Sequence, residues 1–198
     1  MLAPTPENPR TYDLCTNIAG RRLYWRNRNH GVTLGRDILS WTIDGEENEA
    51  AYGDIATVHL DSAGLKVITD RCTITLADGR ALQIVNTDPG GYSSAERKAR
   101  YRDFVRDLHS RLTAARYPGI RFTEGWSLWR CQAMLVLSAL VALASTALGL
   151  YVFLHLGEPR GVLLLALAAY VFWKFYRTAR NNMPRDYTPD RLPEFLLS

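Results

Sequence analysis

"CQAMLVLSALVALASTALGLYVFLHLGEPRGVLLLALAAYVFWKFYR", residues 131–177, governs how the rest of the chain is read. Residues 131–157 contain no Asp, Glu, Lys or Arg, and a second charge-free run covers 161–173. A helix over the first run is about 40 Å long at about 1.5 Å per residue, longer than the roughly 30 Å hydrocarbon core of a bilayer. The second run alone is short for a span. Lys174 need not end it, because its methylene stem lets the ammonium reach the interface, and Phe175 and Tyr176 follow before Arg177. The pattern predicts two transmembrane helices, about 128–156 and 161–177, in a hairpin covering 118–178. A re-entrant or interfacial second segment is the alternative. Between them, Gly157 ends one helix, Pro159 blocks its continuation and Gly161 opens the next.

Flanking charge orients the hairpin. Arg116, Arg121 and Arg130 precede the first helix, and Lys174, Arg177, Arg180 and Arg185 follow the second. Positive charge in short loops marks the cytoplasmic side. The expectation is a multi-pass protein of the bacterial inner (plasma) membrane, with both termini cytoplasmic and Glu158 to Arg160 outside. Trp126, Trp129, Trp173, Lys174 and Tyr176 fall where interface anchors belong. Ser138, Ala142, Ser145 and Gly149 recur at i, i+4, i+7 and i+11, a small-residue seam that admits a close helix neighbour. Its partner is either Ala166 and Ala169 of the same hairpin or another subunit.

The averages of the 198 residues conceal this division: 22% charged and 47% hydrophobic would suit a soluble protein, yet the charge is concentrated before residue 131. The net charge of +4 comes from arginine and suits the anionic inner leaflet better than nucleic acid, since the arginines are dispersed. Cys15, Cys72 and Cys131 are odd in number and far apart, so a disulfide framework is not expected and a reducing compartment is. Residues 1–10 lack the basic and apolar regions of a signal peptide and read as a mobile tail.

From 11 to 92 the texture is β. "RRLYW", "DILSWTI", "AAYGDIATVHLD", "LKVITD" and "CTITLADGRALQIVN" are short alternating runs separated by turns. In the last, Asp78-Gly79 is expected to supply the positive φ values of a tight hairpin. The period then changes. "SSAERKARYRDFVRDLHSRLTAAR" starts with Ser93 or Ser94 as N-cap and Glu96 close behind, and is expected to run as one helix to Arg116. Tyr101, Phe104, Val105, Leu108 and Leu112 form its apolar stripe, with Arg, Lys and Asp opposite. The expected fold is α+β: a small antiparallel barrel or sandwich closed by one amphipathic helix over 11–117, then the transmembrane hairpin, then a basic, proline-containing tail over 179–198.

Strands followed by one such helix resemble the pleckstrin-homology-like (PH-like) barrel. The whole layout resembles the uncharacterised PH-like-domain membrane proteins of proteobacteria, through "VTLGRDILSW", "AAYGDIATVHL", "YRDFVRDLHSRL" and "RDYTPDRLPEFLLS". The resemblance implies a PH-like cytoplasmic domain, a two-helix membrane hairpin and no assigned activity. Phosphoinositide-binding PH domains carry a basic pattern in the first strand and loop, and Arg21, Arg22, Arg26, Arg28 and Arg36 are superficially similar. That stretch lacks the lysine usual in the pattern, so the ligand does not carry over. These five arginines are instead expected to face anionic lipid headgroups at the membrane surface.

No catalytic pattern stands out. His30, His59, His109 and His155 pair neither with one another at i, i+4 nor with a cysteine, so no metal site is expected. Asp37 and Asp54 suit turns or caps better than catalysis. No GxSxG, P-loop or GxGxxG occurs, and no cofactor is expected. The expected partners are the lipid bilayer, anionic lipid headgroups and a protein or membrane complex, without nucleic acid. The expected function is a non-catalytic, membrane-anchored interaction module that scaffolds a protein partner. The alternative is an accessory subunit of a larger respiratory or transport complex.

Overall fold

The computed structural model describes residues 8–18, 30–63, 69–88, 91–113, 116–156 and 159–192. It divides into two units, one formed by Met1–Glu124 with Arg185–Ser198 and one by Gly125–Pro184. In the first unit the strands are β1 (Arg10–Ile18), β2 (His30–Leu34), β3 (Ile38–Ile43), β4 (Glu46–Ala51), β5 (Ile55–Ala63), β6 (Thr69–Leu76), β7 (Ala81–Val85), β8 (Arg121–Glu124) and β9 (Arg185–Asp186), with helix α1 (Ala95–Arg111) between β7 and β8. The expected "RRLYW" strand lies outside the described residues. The strands form one open mixed sheet in the order β4-β3-β2-β1-β7-β6-β5-β8-β9. Every pairing is antiparallel except β5 with β8.

Alternation explains the core. A strand turns successive side chains to opposite faces, so Cys72, Ile74 and Leu76 of β6 point inward with Leu82 and Ile84 of β7 and Val58 and Leu60 of β5. Val32 and Leu34 of β2 and Leu39 and Trp41 of β3 join the same cluster. The stripe of α1 completes it: Tyr101, Phe104, Val105, Leu108 and Leu112 are all 0% exposed. Burying each such side chain contributes about 1.5–3 kcal/mol. Ser94 caps α1, its Oγ accepting from the Arg97 amide at 3.2 Å. The helix stops at Arg111, before the expected Arg116, because Leu112 leaves helical geometry at φ −93° and ψ 41° while staying in the core.

The two Asp-Gly dipeptides make different turns. Asp44 (φ 54°) and Gly45 (φ 85°) both take positive φ and join paired Ile43 and Glu46 as a two-residue type I′ hairpin. Asp78-Gly79 does not repeat this, contrary to expectation: only Gly79 is positive (φ 88°), and Leu76 donates to the Arg80 carbonyl at 2.8 Å across one further loop residue. Loop length, which the dipeptide does not encode, selects the turn.

The residues expected as a C-terminal tail return to the first unit. Thr123 pairs with Asp186 and Glu124 with Arg185, and Tyr187 and Leu192 pack against the core. The second unit is a pair of helices, α2 (Leu128–Leu156, 29 residues) and α3 (Arg160–Asn181, 22 residues). Both are long and apolar enough to cross a membrane. At about 1.5 Å per residue α3 reaches about 33 Å, further than its charge-free run allowed.

Candidate functional site

Three groups of residues in the first unit, and two regions of the helix pair, carry the features that a function could use. The first is a cavity of about 320 Å³. It lies among the end of β1 (Ile18), the β3–β4 turn (Ile43, Asp44, Glu46) and the β6–β7 turn (Leu76, Arg80, Leu82), with Trp41 below. Its lining is mostly apolar with a few charged groups, the usual character of a small-ligand or side-chain pocket. Beside it β4 forms the edge of the sheet, with Glu46, Glu47 and Glu49 exposed along it.

The second group is a buried ion pair that the amphipathic reading of α1 placed on the solvent side. Arg111 is 0% exposed. Its Nε donates to Asp107 Oδ1 at 3.1 Å, its Nη2 to the Asn8 carbonyl at 3.2 Å, and its Nη1 to the Gly35 carbonyl. Tyr12 donates to Asp107 Oδ2 at 2.9 Å, and Tyr52 donates to the same Gly35 carbonyl at 3.0 Å. Burial, reinforced by the Asp107 carboxylate, pushes the Tyr12 hydroxyl up to about 12, so it stays a donor. The signal lay in the spacing: Asp107 and Arg111 are i, i+4 partners immediately flanking Phe104 and Leu108 on the helical surface.

The third group is His109 with Phe122 of β8 and Tyr187 beyond β9. The imidazole stacks on Tyr187 with centroids 5.6 Å apart and tilts on Phe122 at 5.4 Å. His109 Nδ1 lies 2.7 Å from the Val105 carbonyl, which only accepts, so Nδ1 carries the proton. Nε2 therefore accepts from the Tyr187 hydroxyl, also at 2.7 Å. Burial pushes the imidazole down to about 4 and keeps it neutral. No periodicity linked residue 109 to residue 187.

Of the five expected headgroup arginines, only Arg36 lies among the described residues. Arg21, Arg22, Arg26 and Arg28 lie outside the described residues. Arg36 is exposed in the β2–β3 turn. Asp37 sits in the β2–β3 turn and pairs with Arg116, and Asp54 ends a short 3-10 helix (Tyr52–Asp54), where its carbonyl accepts from Ala77. Among the described residues no group of three or more His, Cys, Asp or Glu is placed to hold a metal ion.

In the helix pair, Ser138 and Gly149 are buried and Ala142 and Ser145 half-buried, so the α2 seam faces α3. Its α3 neighbours differ from those expected. Ala166 and Ala169 are exposed, and Gly161 and Ala168 take the inner positions. The reason is helical phase: 161 and 168 are seven residues apart and share a side that 166 and 169 do not. A Cβ on Gly161 would lie 2.6 Å from the Gly149 carbonyl, so this crossing needs glycine. At the other end, Gly125 takes φ 98° against the Met183 carbonyl, and the Trp126 amide donates to the Asn182 carbonyl at 2.7 Å. The starts of α2 and the end of α3 are thereby joined. Trp129 and Trp173 are 70% and 53% exposed, Lys174 and Tyr176 are exposed and Trp126 is half-buried. The Arg130 and Arg177 guanidiniums lie over the Trp126 and Trp173 rings at 5.3 and 5.5 Å.

No family model matches this chain, and no curated protein matches it. Function therefore rests on the geometry.

Proposed function

We propose that this chain is a non-catalytic interaction module. In this reading a PH-like unit is held at the cytoplasmic face of the bacterial inner membrane by a two-helix hairpin and scaffolds a protein partner there. One observation carries it: β8 pairs with β9. Residues before and after the helix pair belong to one folded unit, and one folded unit lies on one side of a bilayer. A chain that leaves such a unit and returns to it crosses an even number of times, and α2 and α3 supply two crossings. Their outward faces are rich in exposed Leu, Val and Phe, which a lipid solvent stabilises and water does not. The arginines flanking the pair argue for a cytoplasmic first unit.

The PH-like assignment draws on topology. A four-strand meander, β1 to β4, joins a three-strand meander, β5 to β7, through β1 and β7, and the helix after β7 buries its stripe in the shared core. The cavity and the β4 edge are the surfaces offered to a partner. Membership of the proteobacterial family is part of the proposal and rests on the same layout.

Topology is tested by labelling. Native Cys15, Cys72 and Cys131 are buried, which keeps the background low. A Glu158→Cys variant is expected to react with an impermeant maleimide on intact cells, and Asp103→Cys only after lysis. The reverse pattern would overturn the orientation. An accessory subunit of a respiratory or transport complex is the second reading, favoured by the exposed Ala166 and Ala169, small residues that the hairpin leaves unused. Native mass spectrometry of the complex from mild detergent separates the two: a stoichiometric membrane partner lost on Ala166→Leu supports the second, a soluble partner the first.

A further inference from the structure

Several cations of the first unit are held in ion pairs, and among the described residues those at the end of α3 are not. In the first unit, Arg71, Arg80, Arg100, Arg111, Arg116 and Arg121 each face a carboxylate. Residues 125–156 and 159–184 contain no Asp or Glu. Among the described residues no carboxylate pairs with Lys174, Arg177 or Arg180, and all three side chains are exposed.

Their spacing places them together. Residues three apart share a helix side, so Lys174, Arg177 and Arg180 form one ridge, while Ala168, Val171, Thr178 and Ala179 occupy the side turned to α2. Tyr170 and Trp173, with rings 6.3 Å apart, lie one turn before Lys174 and Arg177 at i, i+4 and flank that ridge on the side of the apolar middle of the helix. The Arg177 guanidinium carbon lies over the Trp173 ring, 5.5 Å from its centroid, a cation–π contact that uses no carboxylate. The ridge runs about 9 Å along the helix at about 1.5 Å per residue, close to the roughly 5–8 Å of polar layer in each leaflet. Ring, ring, cation, cation, cation is thus the order from hydrocarbon to water.

We propose that Lys174, Arg177 and Arg180 bind the phosphodiester headgroup of an anionic phospholipid in the inner leaflet, with Trp173 and Tyr170 against its upper acyl chain. The proposal rests on the reading of α2 and α3 as membrane-spanning. Three unpaired cations on one side favour a phosphate over a zwitterionic headgroup, whose own ammonium they repel.

The test uses the full chain in vesicles of phosphatidylcholine mixed with phosphatidylglycerol. The protein is extracted in mild detergent and its retained lipid measured by native mass spectrometry. Wild type is expected to retain phosphatidylglycerol in excess over its share of the vesicle. Lys174→Gln, Arg177→Gln and Arg180→Gln should each lower that excess up to about five-fold, equivalent to about 1 kcal/mol per basic residue at the surface. The paired variant Arg177→Lys with Arg180→Lys, which keeps the charge, should retain most of it. Arg106→Gln, on the exposed side of α1, should leave it unchanged. Displacement by glycerol 3-phosphate, the phosphate without its chains, would assign the ridge to a soluble anion and overturn the lipid assignment. Alkaline carbonate keeps the readings apart. Release of wild type from the vesicles would overturn the span and the proposal with it. Retention with no excess, or with an excess untouched by the Gln variants, would overturn the headgroup site alone.

Discussion

Arg111 puts a permanent charge inside the first unit, and Asp107 together with the Gly35 and Asn8 carbonyls makes that tolerable. An isolated buried guanidinium would be very costly; a hydrogen-bonded pair recovers most of that cost and binds α1 to the β2–β3 turn. His109 solves the same problem by giving up its charge. Its ordinary pKa of 6.5 falls to about 4 on burial. Between those values the unfolded chain binds a proton that the folded chain refuses, so stability falls as pH falls. The contribution is fully present above about pH 6.5, and about 3 kcal/mol of it is lost by about pH 4. Asp70 acts in the opposite sense, since burial raises its carboxyl and favours the fold as pH falls. Replacing His109 with Phe isolates the histidine. The melting temperature of wild type should drop more steeply from pH 7 to pH 4.5 than that of His109→Phe. Equal slopes would show that the imidazole is not held neutral against Tyr187.

At the level of elements, α1 and the helix pair are held by opposite means. In α1 large side chains fill space: Phe104 is 0% exposed and meets Tyr12 edge-on at 5.6 Å. Truncating such a side chain to Ala in a core costs about 2–5 kcal/mol. Phe104→Ala should therefore lower the melting temperature far more than Arg106→Ala on the exposed side, and similar values would mean that α1 does not pack as described. Between α2 and α3 the contact depends on what is missing, since Gly149 and Gly161 let the backbones touch. In the membrane-spanning reading proposed above, that difference follows the solvent. Water drives large apolar groups together, whereas lipid offers them equal shelter, so helices in it associate through close backbone approach.

For the molecule as a whole, the excursion from Glu124 to Arg185 is the governing feature. These residues are direct partners across β8 and β9, so the chain returns to within one ladder step of where it left. Two strands in that register can be joined by a two-residue I′ turn. Replacing 125–184 with Asn-Gly should yield a chain that is monomeric without detergent and melts cooperatively. Aggregation, or a broad non-cooperative transition, would show that the first unit does not fold independently of the helix pair. The same prediction explains why 11–117 is not the complete unit: it omits Phe122 and Tyr187, the two rings that enclose His109.

Much of this was legible along the chain. The apolar runs of 131–157 and 161–173, the alternation in β6 and β7 and the stripe from Tyr101 to Leu112 are local patterns, and bilayer thickness, strand pleat and helical pitch convert each into an element without reference to the rest. The seam on α2 was visible for the same reason. Contacts distant in sequence were not. Charge at 107 and 111 signals solvent unless a carbonyl 76 residues away from Arg111 is waiting to receive it. Tyr187 looks like tail until β9 lies against β8 and brings its hydroxyl to His109. Ala168 rather than Ala166 meets α2 because rotation of one helix about its axis is set by its neighbour. Local periodicity specifies which face of an element is apolar; only packing specifies what that face meets, and buried polar groups are stable only where such a partner exists.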